Sequence, residues 1–324
     1  MTDFQKAIIN NDLLKLNSIK KVDIHNHAVS SCTKSYLINN GVSLSEEKIN
    51  DIHSLIEFSR NYLSPLQLDI KGLKLLLDGN FKNCIETGVR VVCTEIDYKN
   101  CIRTFDYNIK QFIDFLKSFK YDNLKILWDL GISRDSYKEE YKPIILELLK
   151  TKFFNGIDLT STEDSIPNSQ FIEFYNLANS LDMTTKVHAG EQLGPEYIKQ
   201  CIYDFNPKQI QHGIHIVEDE AIMKLAKEKN IIFNVCPTSN VILSYAKSIK
   251  EHPIKKAYAG DTQLIAVDLP GAYSMSPFTS EESVTSSYVK KENPDVIINI
   301  VDATNLSRSL FFTTQLLELG VPVV

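Results

Sequence analysis

Residues 209–237, QIQHGIHIVEDEAIMKLAKEKNIIFNVCP, hold one complete strand–helix–strand unit. Gln209–Ile214 and Ile231–Pro237 are short runs of strand length and character, and Glu218–Lys229 between them has helical length. That segment sets Ile222, Leu225 and Ala226 on one face and charges on the other, the mark of an amphipathic helix. The same alternation extends in both directions. Upstream lie Val22–His25, Val89–Asp97, Leu124–Gly131, Gly156–Thr160 and Thr185–Gly190, and downstream lies Gln263–Pro270. Eight strand candidates separated by helices predict an α/β fold, a parallel (β/α)8 TIM-like barrel. A short helix over Phe4–Leu16 is expected to cover the barrel bottom.

The chain has 324 residues, 43% of them hydrophobic, enough for a large buried core. A net charge of −6 with seven histidines gives no electrostatic footprint for nucleic acid, so a small-molecule substrate is expected. Met1–Lys21 is polar and mixed in charge, unlike a signal or transit peptide. No run of about 18 apolar residues suggests a membrane span. Six cysteines without a C-x-x-C pair fit reduced thiols and a cytoplasmic location. Composition does not set the oligomeric state.

Chemistry in such a barrel sits at the C-terminal strand ends. His25 and His27, two residues apart on one strand, point the same way and can enter one coordination sphere. His188 ends the fifth strand candidate and offers a third nitrogen, as in a catalytic zinc centre that keeps a position for water. A carboxylate is the natural fourth ligand. Glu191, three residues beyond His188, is placed either as a general acid or as an acid favoured at a helix N-terminus. His212 ends the sixth strand candidate and is a candidate to hold or deprotonate a metal-bound water, whereas His215 reads as a loop residue. Cys236-Pro237-Thr238-Ser239-Asn240 reads as a turn after strand seven, with Asn240 or Ser239 bonding local backbone.

His25-Asn26-His27, His188-Ala189-Gly190-Glu191, Gln211-His212-Gly213, Cys236–Asn240 and His252-Pro253-Ile254-Lys255-Lys256, in this order, resemble the adenosine deaminase family of metal-dependent amidohydrolases over about residues 1–257. The resemblance implies one Zn2+ per chain, held by His25, His27 and His188. It also implies Glu191 as proton donor to purine N1, His212 orienting the attacking hydroxide, and a purine nucleoside substrate, with adenosine giving inosine and ammonia. Ser161 and Gly190 are the expected substrate-binding positions. Three stretches differ from the family. Ala28-Val29-Ser30-Ser31 stands where an acidic or glycine-containing segment contacts ribose, Thr160-Ser161 stands in place of a glycine, and Val267-Asp268-Leu269-Pro270 replaces a pair of aspartates.

From about Gly260 the chain resembles another family. Asp268–Pro277, Asp295–Asn305 and Thr314–Val324 are similar to the G domain of bacterial ferrous-iron transporter B. The chain has no G-x-x-x-x-G-K-[ST] loop to cradle phosphates, so no GTPase activity is expected of this atypical α/β segment, residues 258–324. Asp295–Ala303 and Val321–Val324 are further strand candidates, with a helix over Asn305–Leu319. Gln263–Val267 suits barrel strand eight and puts Asp268 at its end, as the fourth zinc ligand or as a loop acid without metal. The alternative to a working deaminase is an inactive chimera or a ligand-binding pseudoenzyme, with a GTP-binding fragment linked to iron transport behind it.

Overall fold

A computed structural model of the chain describes residues 12–44, 49–259 and 263–266. Eight strands, β1 (Lys21–His27), β2 (Val89–Asp97), β3 (Lys125–Ser133), β4 (Gly156–Thr160), β5 (Thr184–Ala189), β6 (Gln209–His212), β7 (Ile232–Val235) and β8 (Gln263–Ala266), follow one another. Each pairs in parallel with the next, in the order β1 to β8, as a nearly closed barrel. The (β/α)8 expectation is met.

Local chemistry explains where the strand bounds differ from the expected ones. β1 runs on through His27, so the whole His25-Asn26-His27 motif lies within the strand. β6 stops at His212 because His212 and Gly213 both take positive φ, 62° and 57°. β7 stops at Val235 because Pro237 opens a short helix, Pro237–Ile242, where a missing N–H costs nothing. The turn expected over Cys236–Asn240 is therefore a helix start. Of the expected N-terminal helix, Leu13–Ser18 is helical, and residues 1–11 lie outside the described part.

Helices Ile70–Glu86, Ile109–Lys117, Lys142–Lys150, Ile172–Ser180, Pro195–Phe205 and Glu220–Glu228 follow β1 to β6 in turn. The last buries Ile222, Met223 and Ala226, and the Asp219 carboxylate caps it by accepting from the Ala221 and Ile222 amides at 2.8 and 3.1 Å. One apolar cluster runs through the strands and helices, from Phe81, Leu130 and Ile157 to Phe174, Val187 and Phe233. A buried ion pair lies inside the barrel. Lys186 on β5 pairs with Asp129 on β3 at 2.7 Å, with 4% of each side chain exposed, and burial pushes the Asp129 carboxyl up to about 6. Lys186 also donates to the Ile24 carbonyl at 3.2 Å, tying the first strand to the fifth. No helix among the described residues is long and apolar enough to cross a membrane.

Candidate metal and catalytic centre

Three imidazoles converge at the C-terminal rim. His25 Nε2 lies 3.3 Å from His27 Nε2 and 3.2 Å from His188 Nε2. A tetrahedral zinc bound at about 2.0–2.1 Å sets its ligand nitrogens roughly 3.3 Å apart, so this donor set fits such an ion. Asn26, between the two β1 histidines, faces the other way. Its Oδ1 accepts from Asn80 Nδ2 at 2.8 Å and Thr94 Oγ1 at 2.7 Å, which pins the strand with both histidines turned inward.

The second nitrogen of each ring is also engaged, which orients the Nε2 lone pairs. His27 Nδ1 meets Glu95 Oε2 at 2.9 Å, and His188 Nδ1 meets Asp158 Oδ1 at 3.1 Å. His25 Nδ1 meets the Cys236 thiol sulfur at 3.2 Å. Asp158 is held in turn by Gln211 Nε2 at 2.9 Å, and Gln211 Oε1 accepts from Asn234 Nδ2 at 2.8 Å. Gly131 on β3 makes room for Glu95, since a Cβ there would stand 1.6 Å from Glu95 Oε1. Burial lowers the His188 pKa despite Asp158, and burial with the neighbouring imidazoles holds His25 well below its ordinary value. Both are then neutral, the form that can ligate metal. For His27 burial also acts downward, but the Glu95 bond and charge outweigh it and raise the pKa.

Glu191 and His212 form a second unit beside the imidazoles. Glu191 Oε1 is 3.0 Å from His212 Nδ1, and the His212 ring centroid lies 5.0 and 5.2 Å from those of His25 and His188. Burial pushes the Glu191 carboxyl up, but His212, His188 and His27 outweigh it and leave it below its ordinary value. Glu163 positions this carboxylate's loop. Its Oε1 accepts from the Glu191 and Gln192 amides at 2.8 and 3.2 Å, and its Oε2 accepts from the Leu193 amide at 2.9 Å.

Gly190 has φ +73°, and a Cβ there would meet Ile198 Cδ1 at 2.3 Å. Its carbonyl accepts from the His215 amide at 3.1 Å, so the structure gives Gly190 a turn-forming part beside the expected substrate contact. Ser161 follows β4 with φ +77°, and its hydroxyl lies 2.8 Å from the Ser133 hydroxyl. His215 sits in a short 3-10 turn and pairs with Glu218 at 2.6 Å. Asp268 lies outside the described residues, as do Asp295–Ala303, Asn305–Leu319 and Val321–Val324.

Sequence reading missed Asp158, Glu95, Glu163 and Cys236 as partners of the site. The signal for the first was present: an ionisable residue inside an otherwise uncharged strand, as in Ile157-Asp158-Leu159, needs a buried partner.

The adenosine deaminase family model matches residues 125–270, and that of ferrous iron transport protein B matches residues 229–324. The two matches overlap over residues 229–270, so the second begins well upstream of Gly260. A putative adenosine/adenine deaminase of Treponema pallidum is 27% identical over 73% of this chain and 81% of its own. An adenine deaminase of Marinomonas is 34% identical over 35% of each chain, so this chain spans about a third of that relative's length. Among solved structures, the adenine deaminase of Arthrobacter aurescens superposes with a TM-score of 0.62 at 18% identity, covering 92% of this chain and 96% of that one. The ADAL–IMP complex gives 0.66 at 19% identity over 79% and 82%. An amidohydrolase of Burkholderia ambifaria with bound Zn gives 0.63 at 13% identity over 99% and 94%. At these identities the structural likeness shows the barrel fold alone. In sequence, residues 125–270 match the adenosine deaminase family model, and a match to ferrous iron transport protein B overlaps and follows them.

Proposed function

We propose that the chain is a zinc-dependent hydrolase that deaminates a 6-aminopurine, with adenosine, the purine nucleoside, as its substrate. The observation that carries this reading is the set of three imidazoles, with His25 Nε2 3.3 and 3.2 Å from the Nε2 atoms of His27 and His188 and each ring held from behind, beside the Glu191–His212 pair. His25, His27 and His188 hold one zinc, and Asp268, two residues beyond β8 in sequence, supplies the fourth ligand. When bound, zinc acidifies a water molecule and so supplies a nucleophile at neutral pH.

The chain's own residues do the rest. His212 orients the nucleophile toward purine C6. With its depressed pKa, Glu191 is a carboxylate at rest, so the proton it gives to N1 is one taken up during attack. Water adds its oxygen to C6 and one proton reaches N1. The C6–N bond then breaks, the amine leaves as ammonia with the second proton, and the 6-oxopurine remains. Burial of Glu191 and His212, 4% and 5% exposed, keeps bulk water from this exchange.

A second substrate reading rests on the loop after β1. Ala28-Val29-Ser30-Ser31 carries no carboxylate for a ribose, and Ala28 is buried with its amide on the Glu95 carbonyl at 2.8 Å. This favours the free base adenine, in keeping with the adenine deaminases among the relatives. Residues 1–257 form the deaminase part in this proposal, and residues 258–324 supply strand eight and the atypical segment. A cytoplasmic location fits the reduced thiols. The test is ammonia release from adenosine and from adenine by the zinc-loaded protein. Loss of turnover in Glu191→Gln with zinc retained is expected, and full turnover in that variant contradicts the reading.

A further inference from the structure

Two buried side chains from motifs without a part in the proposed chemistry are wired to its acid–base pair. Asn240 is fully buried and His252 is 4% exposed. The Ile254 amide donates to His252 Nδ1 at 3.1 Å, and an amide can only donate, so Nδ1 is an acceptor. In the neutral ring the proton then sits on Nε2, which lies 3.1 Å from Asn240 Oδ1. That contact fixes the Asn240 amide, with its oxygen toward His252 and its NH2 group toward the active site. Nδ2 donates to Glu191 Oε1 at 3.1 Å and stands 3.1 Å from His212 Nδ1. The backbone at Asn240 is equally fixed, since its carbonyl accepts from the Tyr245 and Ala246 amides at 2.8 and 2.9 Å.

We infer that His252 and Asn240 are positioning residues for the deamination, a directional chain from the Ile254 amide through His252 and Asn240 that holds Glu191 and His212 in one mutual geometry. The inference rests on the deaminase reading for its effect on turnover and on the hydrogen bonds alone for its wiring. The amide can serve whichever of Glu191 Oε1 and His212 Nδ1 lacks the proton they share, because Nδ2 stands 3.1 Å from both. A carboxylate held this way keeps its place before and after it gives up a proton. His252 acts only through Asn240, so it is remote from substrate yet matters to kcat.

The test combines kinetics with the tautomer of His252. With zinc bound, Asn240→Leu lowers kcat by about tenfold to a hundredfold, the loss expected for a buried bond to a charged group, with KM little changed. His252→Leu loses about tenfold, whereas His252→Gln, which can place an N–H donor near the Nε2 position, recovers most of that loss. In the Asn240→Leu/His252→Leu double variant kcat falls no further than in Asn240→Leu alone. Zinc content and circular dichroism identify any variant that has failed to fold. Nitrogen-15 histidine spectra of the wild-type chain, with the His252 signals assigned by their loss in His252→Gln, show an unprotonated Nδ1 and a protonated Nε2. An Nδ1–H tautomer overturns the chain whether or not the protein turns over. Wild-type kcat in His252→Leu, equal losses in His252→Leu and His252→Gln, or multiplicative losses in the double variant also overturn it. Zinc-loaded wild-type protein that deaminates no 6-aminopurine defeats the proposed function instead, and the tautomer still decides the wiring in that sample.

Discussion

Replacing Asp158 by Asn tests whether the buried carboxylates behind the histidines set the metal affinity. Asp158 is 1% exposed, and its two oxygens accept from His188 Nδ1 and Gln211 Nε2 at 3.1 and 2.9 Å. Asparagine keeps the shape but can accept with one atom only, so its NH2 group would face either the imidazole N–H or the Gln211 amide. Gln211 cannot turn over to accept, because its Oε1 already takes the Asn234 Nδ2 hydrogen at 2.8 Å. A buried hydrogen bond to a charged group is worth about 1.5–3 kcal/mol. At roughly 1.4 kcal/mol per decade this weakens zinc binding about ten- to 150-fold, in the range that ligand partners behind a metal usually supply. Glu95→Gln should cost less, because the His27 and Glu95 side chains are 35% and 10% exposed against 9% and 2% for His188 and Asp158, and water screens the pair. Competition with a chromophoric chelator measures both affinities. Zinc affinity within twofold of wild type in Asp158→Asn, or a larger loss in Glu95→Gln, refutes the reasoning.

Gly131→Ala drives a Cβ into the Glu95 carboxylate, so it should weaken zinc as Glu95→Gln does and cost about 1–3 kcal/mol of stability, read by chelator competition and urea unfolding. Asp129→Leu or Lys186→Met alone leaves a buried charge without its partner and should cost about 3–5 kcal/mol, and the double variant should recover most of it. Additive losses in urea unfolding would show that the two groups do not act as a pair. Glu163→Gln removes the charge that collects three backbone amides below Glu191, so kcat should fall about tenfold with zinc content unchanged. An unchanged kcat would release Glu163 from any positioning part.

The barrel was legible because its strands and helices follow hydrophobic period, and each of the eight expected barrel strands appears within a few residues of its place. His25, His27, His188, Glu191 and His212 were legible because each lies at or near a strand end, and the structure gathers all five. What supports them was not. Glu95 and Asp158 are set by which strands become neighbours, a long-range fact that spacing does not carry. Asn240 read as a local turn residue because asparagine usually bonds its own backbone, and here the helix that starts at Pro237 turns its side chain into the barrel rim. Ser161 read as a replaced glycine, and its positive φ shows that the backbone keeps a conformation glycine would adopt without strain.

Metal content and ammonia release, measured together on one purified sample, test the central claim most directly. The account predicts one zinc per chain, ammonia released from adenosine or adenine, and loss of that release when a chelator strips the metal and its return when zinc is restored. A folded chain that binds no zinc, or one that holds zinc and releases ammonia from no 6-aminopurine, contradicts it.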